Sequence, residues 1–358
     1  MRILALLTDA YGALGGIAQY NRDLLDALVS AFPGVTIDLL LRKVEEPPGP
    51  LPANIRWPAG PRGLGKGAFL AAALRAGLAA RPTLILCGHV NLVPPARLLG
   101  ALTGAPVVLL CYGIEVWQPA DWLARRALTG LAAFVAISQV TVRRLQAWSG
   151  LPDHMARLLP NALHPEDYRL GDKPDHLLQR YGLSDQNKVV MTFGRLVSRK
   201  RAKGFDEILE ILPRLPEVVY LIAGDGPDRP RLETRVRELG LAGRVVFTGR
   251  LAEAEKADHY LLADLYAMPS RGEGFGFVLL EAMACGIPVL GSRVDGTREA
   301  LRDGLLGPLV DPDDAPALLA AVREGLERPR GIPAGLEHFC FDRFVERVGE
   351  IFSPWLAT

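Results

Sequence analysis

The chain reads Pro269-Ser270-Arg271-Gly272-Glu273-Gly274-Phe275-Gly276-Phe277-Val278-Leu279-Leu280-Glu281-Ala282 between an apolar run and an apolar, helix-like stretch. Ionised carboxylates accept hydrogen bonds from paired hydroxyls. Glycines at 274 and 276 leave the backbone bare, so amides at a helix start can approach an anion or a hydroxyl closely. The pattern predicts a helix beginning near Phe275, with Glu273 in the loop before it and Glu281 about two turns inside. Carboxylates so placed can hold opposite ends of one extended ligand that carries hydroxyls and phosphates, as a nucleotide-sugar does. The plainer alternative makes Glu273 a helix cap and Glu281 a solvated surface charge.

A second stretch, Gly194-Arg195-Leu196-Val197-Ser198-Arg199-Lys200-Arg201-Ala202-Lys203-Gly204-Phe205-Asp206, follows an apolar strand pattern and precedes a helical one. Cations crowded before a helix start suit a diphosphate, although a basic surface loop has the same composition. Gly224-Asp225-Gly226-Pro227 and Phe247-Thr248-Gly249-Arg250-Leu251 each end a strand pattern. Their backbones can reach a base, and ordinary turn chemistry accounts for them equally well. Near the N-terminus, Gly15 and Gly16 stand before a helical pattern and offer amides to phosphates. The stretch lacks the spacing of a full GxGxxG, and no acidic residue closes a second strand near position 35, so a nicotinamide-dependent dehydrogenase is disfavoured. None of these stretches holds an Asp-x-Asp element that would recruit a metal.

Parallel α/β elements must position these loops. Apolar runs at 2–8, 35–41, 84–88, 107–111, 133–137 and 156–159 alternate with helical patterns at 17–31, 66–80, 121–130 and 139–149. The scheme repeats with strands near 188–193, 218–223, 244–247, 264–268 and 288–291. Unbroken apolar strands separated by helices predict parallel sheets covered on both faces. Two such units in tandem predict two doubly wound, Rossmann-like domains facing each other across a cleft, at 1–164 and 165–338, with 160–187 as linker and a last helix near 341–352. In such sheets ligands bind outside the carboxyl ends of the strands, which is where all the stretches above fall.

In combination these residues resemble family GT4 of the glycosyltransferases, with its GT-B fold. The resemblance rests on the E-x7-E element at Glu273 and Glu281, the Gly-Arg-Leu…Lys-Gly element at Gly194, Arg195, Lys203 and Gly204, and Gly-Asp-Gly-Pro. Phe-Thr-Gly, Ala263 to Ser270 and the N-terminal Gly15-Gly16 complete it, so it spans nearly the whole chain. It implies a retaining, metal-independent transfer of a hexose from a UDP- or GDP-sugar to a saccharide, lipid-linked or small-molecule acceptor, without a cofactor. Arg195 and Lys203 are then expected on the diphosphate, Glu281 on the ribose and Glu273 near the transferred sugar beside the Phe275 and Gly276 amides. Gly224, Gly249, Arg250, Leu251, Gly274 and Phe277 complete the expected donor site. Residues 339–358 are expected to return to the N-terminal domain. Where many relatives place a histidine near the anomeric carbon, this chain has Tyr112, with His89 ending the preceding strand. Trp57, Tyr112, Trp117, Gln118 and Trp122 are expected toward the acceptor. A sugar-nucleotide 2-epimerase and a catalytically weak sugar-nucleotide-binding partner protein are the alternatives.

The bulk composition fits this picture. Of 358 residues 49% are hydrophobic and 23% charged, with a net charge of +1 that gives no field for nucleic acid. Residues 1–164 hold 15 basic and 9 acidic side chains, so this half can face an anionic acceptor or a membrane surface. Cys87, Cys111, Cys285 and Cys340 are far apart and read as reduced thiols. No secretory or membrane-spanning pattern is seen. A cytoplasmic protein, at most peripheral on the membrane, is expected.

Overall fold

The computed structural model describes residues 1–46, 49, 51–60, 63–197 and 202–357. The chain divides into two compact units, one of Met1–Ala162 with Phe341–Thr358 and one of Leu163–Cys340.

The sheet of the first unit is built from β1 (Arg2–Leu7), β2 (Thr36–Leu41), β3 (Ile55–Arg56), β4 (Leu84–Cys87), β5 (Val107–Cys111), β6 (Ala133–Ala136) and β7 (Ala156–Leu158). Its order is β3-β2-β1-β4-β5-β6-β7, and every pairing is parallel. Strands such as Val107-Val-Leu-Leu-Cys111 are buried along their whole length, because helices cover both faces and no position is left for a polar side chain. Asp38 is a buried polar residue in β2, and it accepts from Arg2 of the neighbouring strand at 2.6 Å. The helices are α1 (Gly16–Ala31), α2 (Lys66–Ala80), α3 (Val93–Thr103), α4 (Trp122–Leu128) and α5 (Gln139–Ser149). Residues of α2 to α5 share one apolar core with Leu4, Ile85, Leu109 and Phe134 of the sheet.

The C-terminal helix runs over Phe341–Leu356, a turn longer than the sequence pattern predicts. Phe344, Val348, Phe352 and Leu356 recur every fourth position and are all buried, the spacing of a single apolar stripe. That stripe packs against α1, with the Phe344 ring edge-on to Tyr20 at 5.8 Å.

In the second unit, β8 (Lys188–Phe193), β9 (Val218–Ala223), β10 (Val245–Gly249), β11 (Leu265–Ala267), β12 (Val289–Ser292) and β13 (Leu309–Val310) form a parallel sheet ordered β10-β9-β8-β11-β12-β13. Its helices are α6 (Asp175–Tyr181), α7 (Phe205–Ile211), α8 (Arg229–Glu238), α9 (Lys256–Leu262), α10 (Phe277–Ala284), α11 (Thr297–Ala300) and α12 (Ala315–Leu326). The two-residue strands β3 and β13 escape sequence reading, since so short a run shows no pattern. The stretch 160–187 is not a free linker: from Leu163 onward it belongs to the second unit. Its α6 buries Leu177 and Leu178, and Lys173 holds it to Asp264 at 2.8 Å.

In each sheet the strand order reverses beside the first strand, between β1 and β4 and between β8 and β11. Loops leaving the carboxyl ends at such a switch point diverge and leave a crevice. In the second unit these are the loops of Lys203 and Glu273; in the first, those of Gly15 and His89.

Truncating Phe344, fully buried against Tyr20, removes a large side chain from a close-packed seam. Phe344→Ala is expected to lower the unfolding free energy by about 3–5 kcal/mol, read as an earlier midpoint in urea unfolding.

Candidate active site

At the switch point of the second unit, Lys203 and Glu273 form an ion pair, each partly buried. The stem of Lys203 runs beside Gly194, where a Cβ would lie 3.6 Å from Cε. Arg195, next along the chain, is exposed and carries a second cation on the same loop. Arg199, Lys200 and Arg201 lie outside the described residues.

Glycines allow the loops to close on one another. A Cβ on Gly204 would sit 2.7 Å from the Pro269 carbonyl oxygen, and Gly204 takes φ +82°, which favours glycine. Arg271 and Gly272 both donate from their backbone to the Ala202 carbonyl, at 3.1 and 3.2 Å. These bonds hold the Lys203 loop against the Glu273 loop. Gly224 (φ +115°) abuts the Gly194 carbonyl and donates to Gly249 at 2.9 Å. Gly226 abuts the Leu196 carbonyl, and Leu196 N–H donates to Asp225 O at 3.1 Å. The Gly-Asp-Gly and Thr-Gly motifs are therefore joints between neighbouring strand ends. Arg250 projects to solvent and Leu251 is half-buried.

The Glu273 turn is held from beneath by Asp295, a residue that sequence reading passed over. One Asp295 oxygen accepts from Glu273 N–H at 2.8 Å and from Ser270 Oγ at 2.7 Å; the other accepts from Thr297 N–H at 3.1 Å and Thr297 Oγ1 at 2.8 Å. Gly296 N–H completes the clasp by donating to the Glu273 carbonyl at 2.9 Å, and Gly296 has no room for a side chain against Gly274. Burial pushes the Asp295 carboxyl up to about 6, the nearby Glu273 charge adds to the rise, and the bonds from Glu273 N–H, Ser270 and Thr297 oppose it. Asp295 stands in the loop after β12, a carboxyl-end loop like the others. The positional rule that picked out Glu273 picks it out too.

Helix α10 starts at Phe277 rather than Phe275, because Gly276 takes the left-handed φ of +98° as its cap. Glu281 is therefore one turn inside the helix, not two. It is not a surface charge, being 1% exposed. Its Oε1 accepts from Tyr168 at 2.9 Å and from Lys256 at 3.4 Å, and Tyr260 donates to Oε2. Lys256 in turn lies over the Phe193 ring, 5.8 Å from its centroid, at the end of β8. Through Lys256 and the Phe193 ring, Glu281 is connected to the carboxyl end of β8. Tyr168 and Lys256, remote in sequence, carry no local signal of this role. Phe275 is buried edge-on to Phe339, whereas Gly274 N–H meets Glu273 Oε1 at 3.1 Å.

In the first unit, Gly15 and Gly16 are exposed at the start of α1, with nothing near enough to crowd a Cβ. His89 is half-buried; its Nδ1 accepts from Asn91 N–H at 3.1 Å and caps the short turn Val90–Leu92. Burial lowers its pKa, so the ring is neutral near pH 7 with Nε2 as its donor. Tyr112 does not present a free hydroxyl. Its ring is buried edge-on to Tyr20, and its OH donates to Asn21 Oδ1 at 2.6 Å, tying β5 to α1. Burial drives this phenol well above its ordinary pKa. Of the residues expected toward the acceptor, Trp117 donates to Thr141 at 3.3 Å under the Arg144 guanidinium, and Trp122 is exposed on α4. Cys87, Cys111, Cys285 and Cys340 form no disulfide.

Two measurements test these assignments. Because the folded value of Asp295 lies above its free value of 3.8, this group costs stability as pH rises from 3.8 to about 6. Against the non-titrating Asp295→Asn variant, wild-type unfolding free energy should fall by up to about 3 kcal/mol across that window and then stay level. Tyr112→Phe leaves the Asn21 acceptor unpaired and should cost about 1–3 kcal/mol in thermal unfolding. Transfer activity, assayed on the same preparation, should remain within a few-fold of wild type, as no catalytic hydroxyl is lost.

Comparison with known proteins places this architecture. Residues 175–334 match the family model for glycosyl transferases group 1, and residues 14–167 match that for glycosyltransferase family 4. A GDP-mannose-dependent alpha-(1-6)-phosphatidylinositol monomannoside mannosyltransferase of Mycolicibacterium smegmatis is 35% identical over 258 residues, covering 66% of this chain and 66% of the relative. The enzyme of that description from Mycobacterium tuberculosis is 31% identical over 274 residues, covering 72% and 68%. The chain thus spans about two thirds of the length of these relatives. The crystal structure of Anabaena HepE in complex with UDP and glucose superposes with a TM-score of 0.76 at 21% identity, covering 99% of this chain and 100% of that one, a likeness of fold. With both halves matched in order and the carboxylate and cation loops meeting at the switch point, the chain belongs to glycosyltransferase family 4, with the GT-B fold.

Proposed function

We propose that the protein is a retaining hexosyltransferase that uses a nucleotide-diphospho-sugar. The observation that carries this reading is the Lys203–Glu273 pair, held at the β8/β11 switch point by loop-to-loop backbone bonds. A diphosphate exchanges the Glu273 carboxylate for its own oxygens on Lys203, and Arg195 adds a second cation from the same loop. Glu273, released, faces the sugar. The bond from the anomeric carbon to the diphosphate then breaks as the acceptor oxygen bonds to that carbon from the same face, and the acceptor proton leaves with the phosphate oxygen. Fixed cations that meet charge as it develops on a leaving group supply the largest part of such catalysis. The carboxylate steadies the oxocarbenium-like transition state. In this reading cations and helix amides neutralise the diphosphate without a metal ion.

The named relatives use GDP-mannose and act on a phosphatidylinositol mannoside, whereas HepE is seen with UDP and glucose. A GDP-sugar is accordingly the first donor to set against a UDP-sugar, with a glycolipid as the first acceptor class. A cytoplasmic location belongs to the same reading. An epimerase would convert donor without acceptor, so donor incubated alone separates the two.

Lys203→Ala removes the cation nearest the leaving group. It is expected to reduce transfer by at least 100-fold, in keeping with about 3 kcal/mol for a single charge-stabilising group, and to leave the melting temperature within about 2 °C of wild type, since the pair is only partly buried. Wild-type turnover in this variant would remove the phosphate assignment. Ligand-induced thermal shifts across a panel of GDP- and UDP-sugars identify the donor.

A further inference from the structure

Both main-chain groups of Glu273 end on the loop that follows β12. The N–H donates to Asp295 at 2.8 Å, and the carbonyl accepts from Gly296 N–H at 2.9 Å. The side chain is held differently, by the Lys203 ammonium and by Gly274 N–H at 3.1 Å on Oε1. A diphosphate that draws Lys203 away removes the stronger of these two side-chain contacts. What then directs the carboxylate is the course of its own backbone, which Asp295 and Gly296 set.

Asp295 is suited to this because its four donors are of two kinds. Each oxygen receives one main-chain N–H, from Glu273 or Thr297, and one hydroxyl, from Ser270 or Thr297. A hydroxyl can turn and accept instead, whereas an N–H can only donate. Both oxygens must therefore accept, which an ionised carboxylate does and an amide cannot. Whichever way it is flipped, an asparagine here points its NH2 at the Glu273 N–H or at the Thr297 N–H. Burial pushes the Asp295 carboxyl up to about 6, which leaves the ionised form in the majority at pH 7.

The other buried acids of this unit meet a cation: Asp206 and Asp228 meet Arg231, Glu207 meets Arg271, and Glu281 meets Lys256. The donors on Asp295 are all uncharged. A carboxylate buried without a countercharge costs stability, and such groups gather where a site must be held in one geometry. Asp295 is fully buried, so it acts on a ligand only through Glu273.

We propose that Asp295 is a positioning residue: from beneath the turn it aims the Glu273 carboxylate at the transferred sugar once a diphosphate has taken Lys203. This rests on the donor reading and adds to it the residue that controls the sugar half of the site.

The test is calorimetric binding to the full chain. GDP and UDP probe the diphosphate half; GDP-mannose and UDP-glucose probe the whole site. Asp295→Asn is expected to keep the wild-type Kd for the nucleoside diphosphate. Its Kd for the matching nucleotide-sugar should rise about tenfold, the worth of one hydrogen bond to a charged group. Glu273→Gln should show the same split. Adding Asp295→Asn to it should change nothing further, because a residue that acts through Glu273 has no effect once that carboxylate is gone. Unchanged binding of the nucleotide-sugar by Asp295→Asn would overturn the proposal. So would an equal loss for diphosphate and nucleotide-sugar, the mark of a merely structural role, or a further loss in the Glu273→Gln background. Should Asp295→Asn not fold, Ser270→Ala removes one donor from the oxygen that holds Glu273 N–H. A smaller split of the same kind is expected there, and its absence counts equally against the proposal. A wild-type chain that binds none of the four probes overturns the donor reading itself, an outcome distinct from all of these.

Discussion

Backbone groups in loops must find partners, and in the second unit the loops at the carboxyl ends of the strands find them in each other. Ala202 O receives two amides from the Glu273 loop, Gly224 N–H reaches Gly249 O, and Leu196 N–H reaches Asp225 O. Such contacts require backbones closer together than side chains permit, which is why glycine stands at 204, 224, 226 and 296. The Lys203–Glu273 pair depends on this mesh. Each partner sits on a loop whose course is set by bonds to a neighbouring loop rather than by its own residues.

The charges beneath the mesh follow a consistent rule. Asp206 and Asp228 are buried and share Arg231, Glu207 is buried against Arg271, and Glu281 is enclosed by Tyr168, Tyr260 and Lys256. Buried ion pairs recover little net stability after desolvation, yet breaking one is costly. Their effect here is positional. Arg271 ties the Glu273 loop to Glu207 in α7, which joins the helix that follows Lys203 to the turn that carries Glu273. Asp295 has the same function from the β12 side, with four donors converging on one carboxylate.

In the first unit the edge and the face of the sheet differ in character. At the carboxyl edge, Tyr112, Asn21 and Tyr20 form a buried cluster that closes α1 onto β5, and the bare amides of Gly15 and Gly16 remain open above it. Helices α2 to α5 contain cations and no carboxylate side chain, and the charge difference between residues 1–164 and the remainder of the chain arises largely there. Edge and face are independent surfaces of one scaffold, a general property of doubly wound sheets, whose ligand sites lie at strand ends and not on helix backs.

The sequence alone determined the alternation of apolar strands and amphipathic helices, and with it two parallel sheets whose glycine- and charge-rich loops lie at carboxyl ends. Runs such as Val107–Cys111 and Val218–Ala223 are apolar at every position and admit no other placement. The Glu273 and Lys203 loops were equally evident, since glycine and charge between a strand and a helix have a local physical meaning. What the tertiary structure decided was which partner each side chain took. Glu281 went inward to residues 113, 21 and 25 positions away, and Tyr112 gave its hydroxyl to Asn21, 91 positions away. Gly224 and Gly249 became joints. Hydrogen bonds and burial between distant segments depend on how the strands are ordered in the sheet, and strand order leaves no trace in the spacing of residues along the chain.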